Sequence, residues 1–244
     1  MRMASEKSME TFPYEKIRRY VFPYIDSNMY IMVENGEALV IDPHISPEAD
    51  AYLKENGVKR VLILLTHEHF DHACGIPWFR ENYDTRVICQ KEALDARRQK
   101  HFCRPLVISV ILADRGEEEK IKAIEEEYSL QTIMAEQTFE DISDISWKGH
   151  IIRLEHVPGH SPASSLITVD DILVFTGDSL IPDAEPTVRW PWSDAKTYEE
   201  KTVPRLLQIA SECMIYPGHR DAVRMREILY ENHIFAVKRM GGKE

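Results

Sequence analysis

Apolar residues in this chain come in short runs, each closed by a turn signal. Met29 to Val33 and Ala38 to Asp42 read as a hairpin turning at Asn35-Gly36. A helix is expected from about Pro47 to Asn56, with Gly57 closing it. The strand Arg60 to Leu65 carries the continuous apolar run Val61-Leu62-Ile63-Leu64-Leu65, the pattern of a fully buried strand. Further on, Ile151 to Val157, Ser165 to Val169 and Ile172 to Phe175 read as strands, with a tight turn at Asp170-Asp171. A helix from about Ala195 to Ile209 and a short strand from Cys213 to Ile215 follow. Each half of the chain thus runs strands, helix, strand. An α/β fold follows: two sheets face to face with helices outside, a four-layer αββα sandwich.

The segment from about Lys91 to Gln137 interrupts this layout and is too long for a simple loop. Lys91 to Phe102 and Glu117 to Tyr128 read as helical. In the second, Ile121, Ile124 and Tyr128 form an apolar stripe among glutamates, a packing face. The expectation is a single domain over residues 1–244 with a helical cap inserted at about 91–137 near the active site. A dimerisation element for a homodimer is the alternative role for that insertion.

Candidate chemistry gathers where strands end. Thr66-His67-Glu68-His69-Phe70-Asp71-His72 directly follows the buried run. Three histidines and an aspartate in six residues are costly to bury unpaired, and no helical or strand period puts them all on a solvated face. Neutral imidazole and carboxylate suit zinc, iron or manganese. His160, Asp178 and His219 each lie where a strand gives way to a loop, and each is preceded by a glycine, which permits tight turns. Glu68 and Phe70 alternate with the ligand candidates, so Glu68 reads as a solvated or loop-supporting residue. His44, His101, His150, His156 and His233 read as ordinary core or surface histidines.

The set His67-x-His69-x-Asp71-His72, then His160, Asp178 and His219, resembles the metallo-β-lactamase superfamily of metallohydrolases, with glyoxalase II-like and lactonase-like ligands. Val40-Ile41-Asp42-Pro43 adds a further match, and the resemblance runs from about Met29 to His219. It implies the same αββα fold, with metals at one edge of the sandwich. It implies that His67, His69 and His160 hold one metal, that Asp71, His72 and His219 hold a second, and that Asp178 bridges them. Two divalent ions are expected, zinc foremost, with iron or manganese as alternatives. Two metals ~3.5–4 Å apart can share a bridging hydroxide that attacks an electrophilic carbonyl or phosphoryl centre. Asp71 is the expected catalytic residue, orienting that hydroxide and accepting its proton. Asp42 is expected behind the ligands as a hydrogen-bond acceptor; a turn residue before Pro43 is the alternative.

Composition narrows the partners. The formal net charge of -11 argues against a nucleic-acid substrate, whose phosphates need Lys and Arg. The run Arg97-Arg98-Gln99-Lys100-His101 is the one basic candidate and reads as a solvated helix face. No targeting segment and no apolar run of membrane-spanning length is visible. Cys74, Cys89, Cys103 and Cys213 are scattered, without a CxxC pair, and read as reduced thiols of a cytoplasmic protein. Cys74 reads as a small buried filler.

A small-molecule ester, lactone or thioester is therefore the expected substrate. Asp178 stands where some zinc β-lactamases of this superfamily carry cysteine, and His69 where flavodiiron members carry an acidic residue. Only 25 residues follow His219, too few for the helical domain with which many glyoxalase II enzymes hold glutathione. Arg189, Trp190 and Trp192 form a candidate substrate wall suited to an apolar molecule bearing an anionic group; a packed loop is the other reading. A phosphodiesterase or nuclease, a mononuclear-iron persulfide dioxygenase and a non-catalytic metal-binding protein are the other classes.

Overall fold

In the computed structural model, residues 16–231 are described, apart from residues 96, 98, 101–104, 129–131, 186 and 191. The expectations for Arg98, His101, Phe102, Cys103 and His233, and those for the chain's two ends, lie outside the described residues.

Two six-stranded sheets carry the fold. The first holds β1 (Ile17–Val21), β2 (Asn28–Glu34), β3 (Glu37–Ile41), β4 (Arg60–Leu64), β5 (Asp84–Gln90) and β6 (Gln137–Phe139), in that spatial order. The second holds β7 (Ile142–Trp147), β8 (His150–His156), β9 (Ser165–Val169), β10 (Leu173–Gly177), β11 (Met214–Pro217) and β12 (Val223–Arg224), ordered β12-β11-β10-β9-β8-β7. In each sheet antiparallel neighbours give way to parallel pairing at the centre. β4 runs parallel to β3 and β5, and β10 runs parallel to β11. Parallel strands end on the same side of a sheet, so β10 and β11 deliver the residues that follow them to one edge, where they meet the residues that follow β4.

The apolar runs explain the layers. In β2, Met29 and Ile31 face outward to α1 (Pro47–Glu55) and α3 (Ile76–Asn82), packing with Leu53 and Phe79. Tyr30 and Met32 alternate with them and face the other sheet, meeting Ile167, Phe175 and Tyr216. On the far side, Leu166, Val174 and Ile215 pack under Tyr198, Val203 and Leu206. Those residues come from a helical run of Ala195–Thr197, a π-turn at Tyr198–Thr202, and Val203–Leu206, together α6. The αββα sandwich is therefore present. α1 starts as its sequence directs: Ser46 caps it by accepting from the Ala49 N–H at 3.2 Å, and Pro47 opens it.

The insertion between β5 and β6 differs from expectation. The stretch foreseen as one helix from Lys91 opens as a 3-10 turn, Lys91–Leu94, breaks at Asp95, whose backbone is extended at ψ 111°, and is helical again at Arg97, Gln99 and Lys100. A helix not foreseen, α4 (Leu106–Asp114), lies between it and α5 (Glu118–Glu127). Its sequence, Leu-Val-Ile-Ser-Val-Ile-Leu-Ala, is apolar on all sides and rich in β-branched residues, so it shows no helical stripe. Ile108, Leu112, Ile124 and Tyr128 bury the pair against Phe22, Phe70 and Cys74. Phe70 stands between His69 and Asp71, so the insertion packs directly on the metal-candidate loop. Cys74, Cys89 and Cys213 are buried free thiols. Among the described residues no helix is long and apolar enough to cross a membrane.

Leu112 is fully buried in the cluster that docks the insertion. Leu112→Ala should cost about 2–5 kcal/mol of stability by denaturant unfolding. A loss under about 0.5 kcal/mol, the size of a surface substitution, would show that the insertion does not dock there.

Candidate metal centre

β4 runs directly into the loop that carries His67 and His69, and the four-residue α2 (Phe70–Ala73) presents Asp71 and His72. His160 lies after β8, Asp178 after β10 and His219 after β11. The structure brings all seven to one edge of the sandwich. His67, His69 and His160 form one cluster, and Asp71, His72 and His219 another. The His69 Nδ1 lies 3.1 Å from both His67 Nε2 and His160 Nε2. The His72 Nε2 lies 3.1 Å from Asp71 Oδ2. Asp178 stands between the clusters, its oxygens 3.5 Å from His219 Nε2, 3.6 Å from His72 Nε2 and 3.7 Å from His160 Nε2.

Back-side hydrogen bonds set the tautomers. His72 Nδ1–H donates to Asp42 Oδ2 at 3.0 Å. His67 Nδ1–H donates to Thr66 Oγ1 at 3.0 Å. His160 Nδ1–H donates to the Thr187 carbonyl at 2.7 Å. In each case Nε2 is the nitrogen aimed at the cluster, the one that would ligate a metal. Asp42, His67 and His72 also lie close enough to form a third group. Asp42 is already committed, however: it accepts the Thr66 N–H at 2.7 Å and the Thr66 hydroxyl at 2.5 Å as well as His72. It supports the histidines from behind.

Among the described residues, the buried polar atoms without a hydrogen-bond partner include two in this cluster, His72 Nε2 and Asp178 Oδ1, which are 3.6 Å apart. Buried orphans of this kind call for an ion, and a donor set of imidazoles and carboxylates fits a divalent metal.

Burial holds His67 well below the usual histidine range and His69 down to about 3, with neighbouring imidazoles adding to the effect. Burial also lowers His160, against the pull of Asp178. Burial opposes protonation of His72 and His219 too, but nearby carboxylates outweigh it. Asp71 and Asp178 raise His72 well above the usual range, and Asp178 raises His219. Burial would raise Asp71, yet His72 and His219 bring it down to about 2. One cluster is thus proton-free at neutral pH, and the other holds protons where a cation could sit.

The preceding glycines answer real constraints. Gly159 and Gly177 have φ of +140° and +49°. A Cβ on Gly159 would stand 2.5 Å from Tyr198 Cβ, so α6 lies hard against the His160 loop. Thr202 Oγ1 donates to the Pro158 carbonyl at 2.7 Å and holds that loop from the same side. At Gly218 a Cβ would collide with Asp178 Oδ1 and lie 2.9 Å from His72 Cε1.

A family comparison matches residues 24–219 to the metallo-beta-lactamase superfamily. The chain belongs to this superfamily. Its members are mostly metal-dependent hydrolases. A probable metallo-hydrolase of Bacillus subtilis, YqgX, is 25% identical over 84% of this chain and 90% of its own length. A hydroxyacylglutathione hydrolase of Synechococcus is 36% identical over 59 residues, 24% of each chain. Human mitochondrial persulfide dioxygenase is 24% identical over 76% of this chain and 60% of its own length. Among solved structures, TTHA1623 in a di-iron-bound form superposes with a TM-score of 0.64 at 22% identity, covering 86% of this chain and 95% of that one.

The site opens into a cavity of about 530 Å³. Of the candidate substrate wall, Trp190 and Trp192 line this cavity, whereas Arg189 is exposed and is not among its lining residues. The cavity's arginines are Arg115, at the end of α4, and Arg220, next to His219. Neither was foreseen, because their distance along the chain hides their common cavity. Glu68 is a second correction. It is 1% exposed rather than solvated, and it accepts the Ser161 hydroxyl at 2.7 Å, joining the His67 loop to the His160 loop. His44 is a satisfied core histidine, bound to the Ile45 and Tyr20 carbonyls, and His150 pairs with Asp170 at 2.6 Å.

Gly218→Ala should displace Asp178 and lose most bound metal while the sheets persist. Metal content by mass spectrometry and far-UV circular dichroism check this; full metal retention would refute the close contact. Metal uptake by the chelated protein at pH 7 should release on the order of one to two protons per chain, from His72 and His219. Calorimetry in buffers of differing ionisation enthalpy reads this number, and proton-neutral uptake would contradict the assignment.

Proposed function

We propose that this chain is a metal-dependent hydrolase of small-molecule esters, lactones or thioesters, working with two divalent ions. The observation that carries the reading is Asp178 lying between two histidine clusters, with its Oδ1 and the His72 Nε2 left unpartnered beside a largely apolar cavity. In this assignment His67, His69 and His160 would hold one ion, Asp71, His72 and His219 would hold the other, and Asp178 would be shared between them. Zinc is the first choice of metal. Iron is the alternative that the di-iron TTHA1623 structure supports, and manganese suits the same donors. When bound, such ions act as Lewis acids on the substrate oxygen and make water nucleophilic near neutral pH.

The chain's own groups do the rest. Asp71, held as a carboxylate by His72 and His219, would orient the attacking water. Asp42 and Thr66 keep the His72 and His67 rings from rotating. Phe70, Ile181 and Trp190 surround the substrate and limit bulk water around the reacting carbonyl. The short match to a hydroxyacylglutathione hydrolase supports a thioester within this substrate range. Hydrolysis of phosphodiesters has less support: among the described residues only Arg115 and Arg220 bring positive charge to the cavity wall beside the ligand histidines. The similarity to human persulfide dioxygenase favours one second reading, sulfur oxidation with a single iron.

The test is turnover of a panel of esters, lactones, thioesters and phosphodiesters by metal-loaded protein, with chelated protein and Asp178→Ala as controls. Chelator-sensitive hydrolysis is expected, and Asp178→Ala should lose most metal and nearly all activity. Two metals retained per Asp178→Ala chain would refute the bridge. Oxygen uptake with a persulfide and one iron per chain, without hydrolysis, would replace the hydrolase reading.

A further inference from the structure

Part of the cavity wall is built by the insertion. Leu106, Val107 and Ile111 of α4 line it, facing a space also lined by Ile181 and Trp192. Leu106 is 57% and Trp192 48% exposed, so large apolar side chains at the cavity stay open to solvent. Exposed apolar surface continuous with a binding cleft marks a place where an apolar ligand is expected.

Charge is set into the same wall. Arg115 and Arg220 both line the cavity, and among the described residues neither guanidinium is ion-paired; Asp26 is the wall's carboxylate outside the metal cluster. Backbone conformation singles out three of these lining residues, Asp26 at φ +62° and two bulkier ones. Trp192 and Arg220 both have φ of +75°, a region that favours glycine and is rarely taken by bulky side chains. The Arg220 conformation is held by its carbonyl, which accepts from Arg19 Nη1 at 2.7 Å and from Asn28 Nδ2 at 2.8 Å. The fold holds an arginine where the backbone is suited to glycine. Strain kept at a cavity wall points to a side chain needed there.

We infer that the cavity takes an amphipathic acyl substrate, its hydrocarbon chain lying against α4 and Trp192 and its anionic group held by Arg115 and Arg220. This deepens the hydrolase reading and rests on it for the word substrate, while the binding claim stands on the cavity alone. The inserted helix then sets which chain lengths fit, and the arginines set the charge requirement.

Binding of decanoate and of decanol to the metal-loaded protein, measured by calorimetry, tests the inference without turnover. Decanoate should bind about tenfold or more tightly than decanol, the size of one charge-assisted hydrogen bond. The double variant Arg115→Gln/Arg220→Gln should lose that preference, and Val107→Asp should weaken both ligands. Arg220→Gly, which relieves the backbone strain, should raise the melting temperature and also reduce the preference, showing that any loss is not misfolding. A preference that survives the double variant would mean the carboxylate is held elsewhere and would overturn the inference, as would failure of both ligands to bind wild type. Arginine-dependent binding without hydrolysis of any acyl ester would sink the hydrolase reading and leave the pocket assignment standing.

Discussion

One buried carboxylate organises the site. Asp42 ends the hairpin in a left-handed conformation, φ +55°, and receives the Thr66 N–H, the Thr66 hydroxyl and His72 Nδ1. These bonds tie the end of β3 to the end of β4 and to α2. They also decide which nitrogen of His72 faces the cluster, and through Thr66 they decide it for His67. A carboxylate buried to 2% exposure is costly unless every lone pair is used. The hub therefore tolerates little rearrangement, and the ligand atoms in front of it inherit that rigidity.

Apolar packing between the sheets supplies cohesion but little direction, because hydrophobic burial is non-directional. Polar ties across the open edge supply the alignment. Tyr30 donates from its hydroxyl to the Pro217 carbonyl at 2.8 Å, and Asn28 Nδ2 reaches the same carbonyl at 3.0 Å. Ser27 bridges to His219 itself. On the other side of the cluster, Glu68 receives Ser161. Each such bond contributes only about 0.5–1.5 kcal/mol net, yet together they position ligands from two sheets over a few ångströms.

Much of this was legible in the sequence. The buried run before His67, the Asn35-Gly36 turn and the glycines before His160, Asp178 and His219 carry local signals strong enough to outline two sheets and their common edge. The rest depended on tertiary context. α4 is apolar all round, so no period identifies it, and it is helical because it is packed between α5 and the metal loop. β1 and β7 are edge strands with mixed polarity and give weak alternation. Glu68 alternates with ligands, as a solvated residue would, but a serine distant in sequence makes its burial possible. Arg189 beside two tryptophans looked like a pocket residue, whereas the cavity draws Arg115 from the insertion and Arg220 from the last ligand loop.

Charge balance gives the two-ion reading its strongest physical support. Asp42, Asp71 and Asp178 place three carboxylates around a common buried cluster. Without metal, these carboxylates favour protons on His72 and His219. One divalent ion would leave that charge undercompensated once those protons depart. Two would exceed it by about one unit, and in a low-dielectric site such a surplus draws an anionic oxygen. That surplus would therefore favour the anion that acyl hydrolysis generates. The charge balance would also make Asp178, shared between both clusters, the residue on which occupancy of either set depends.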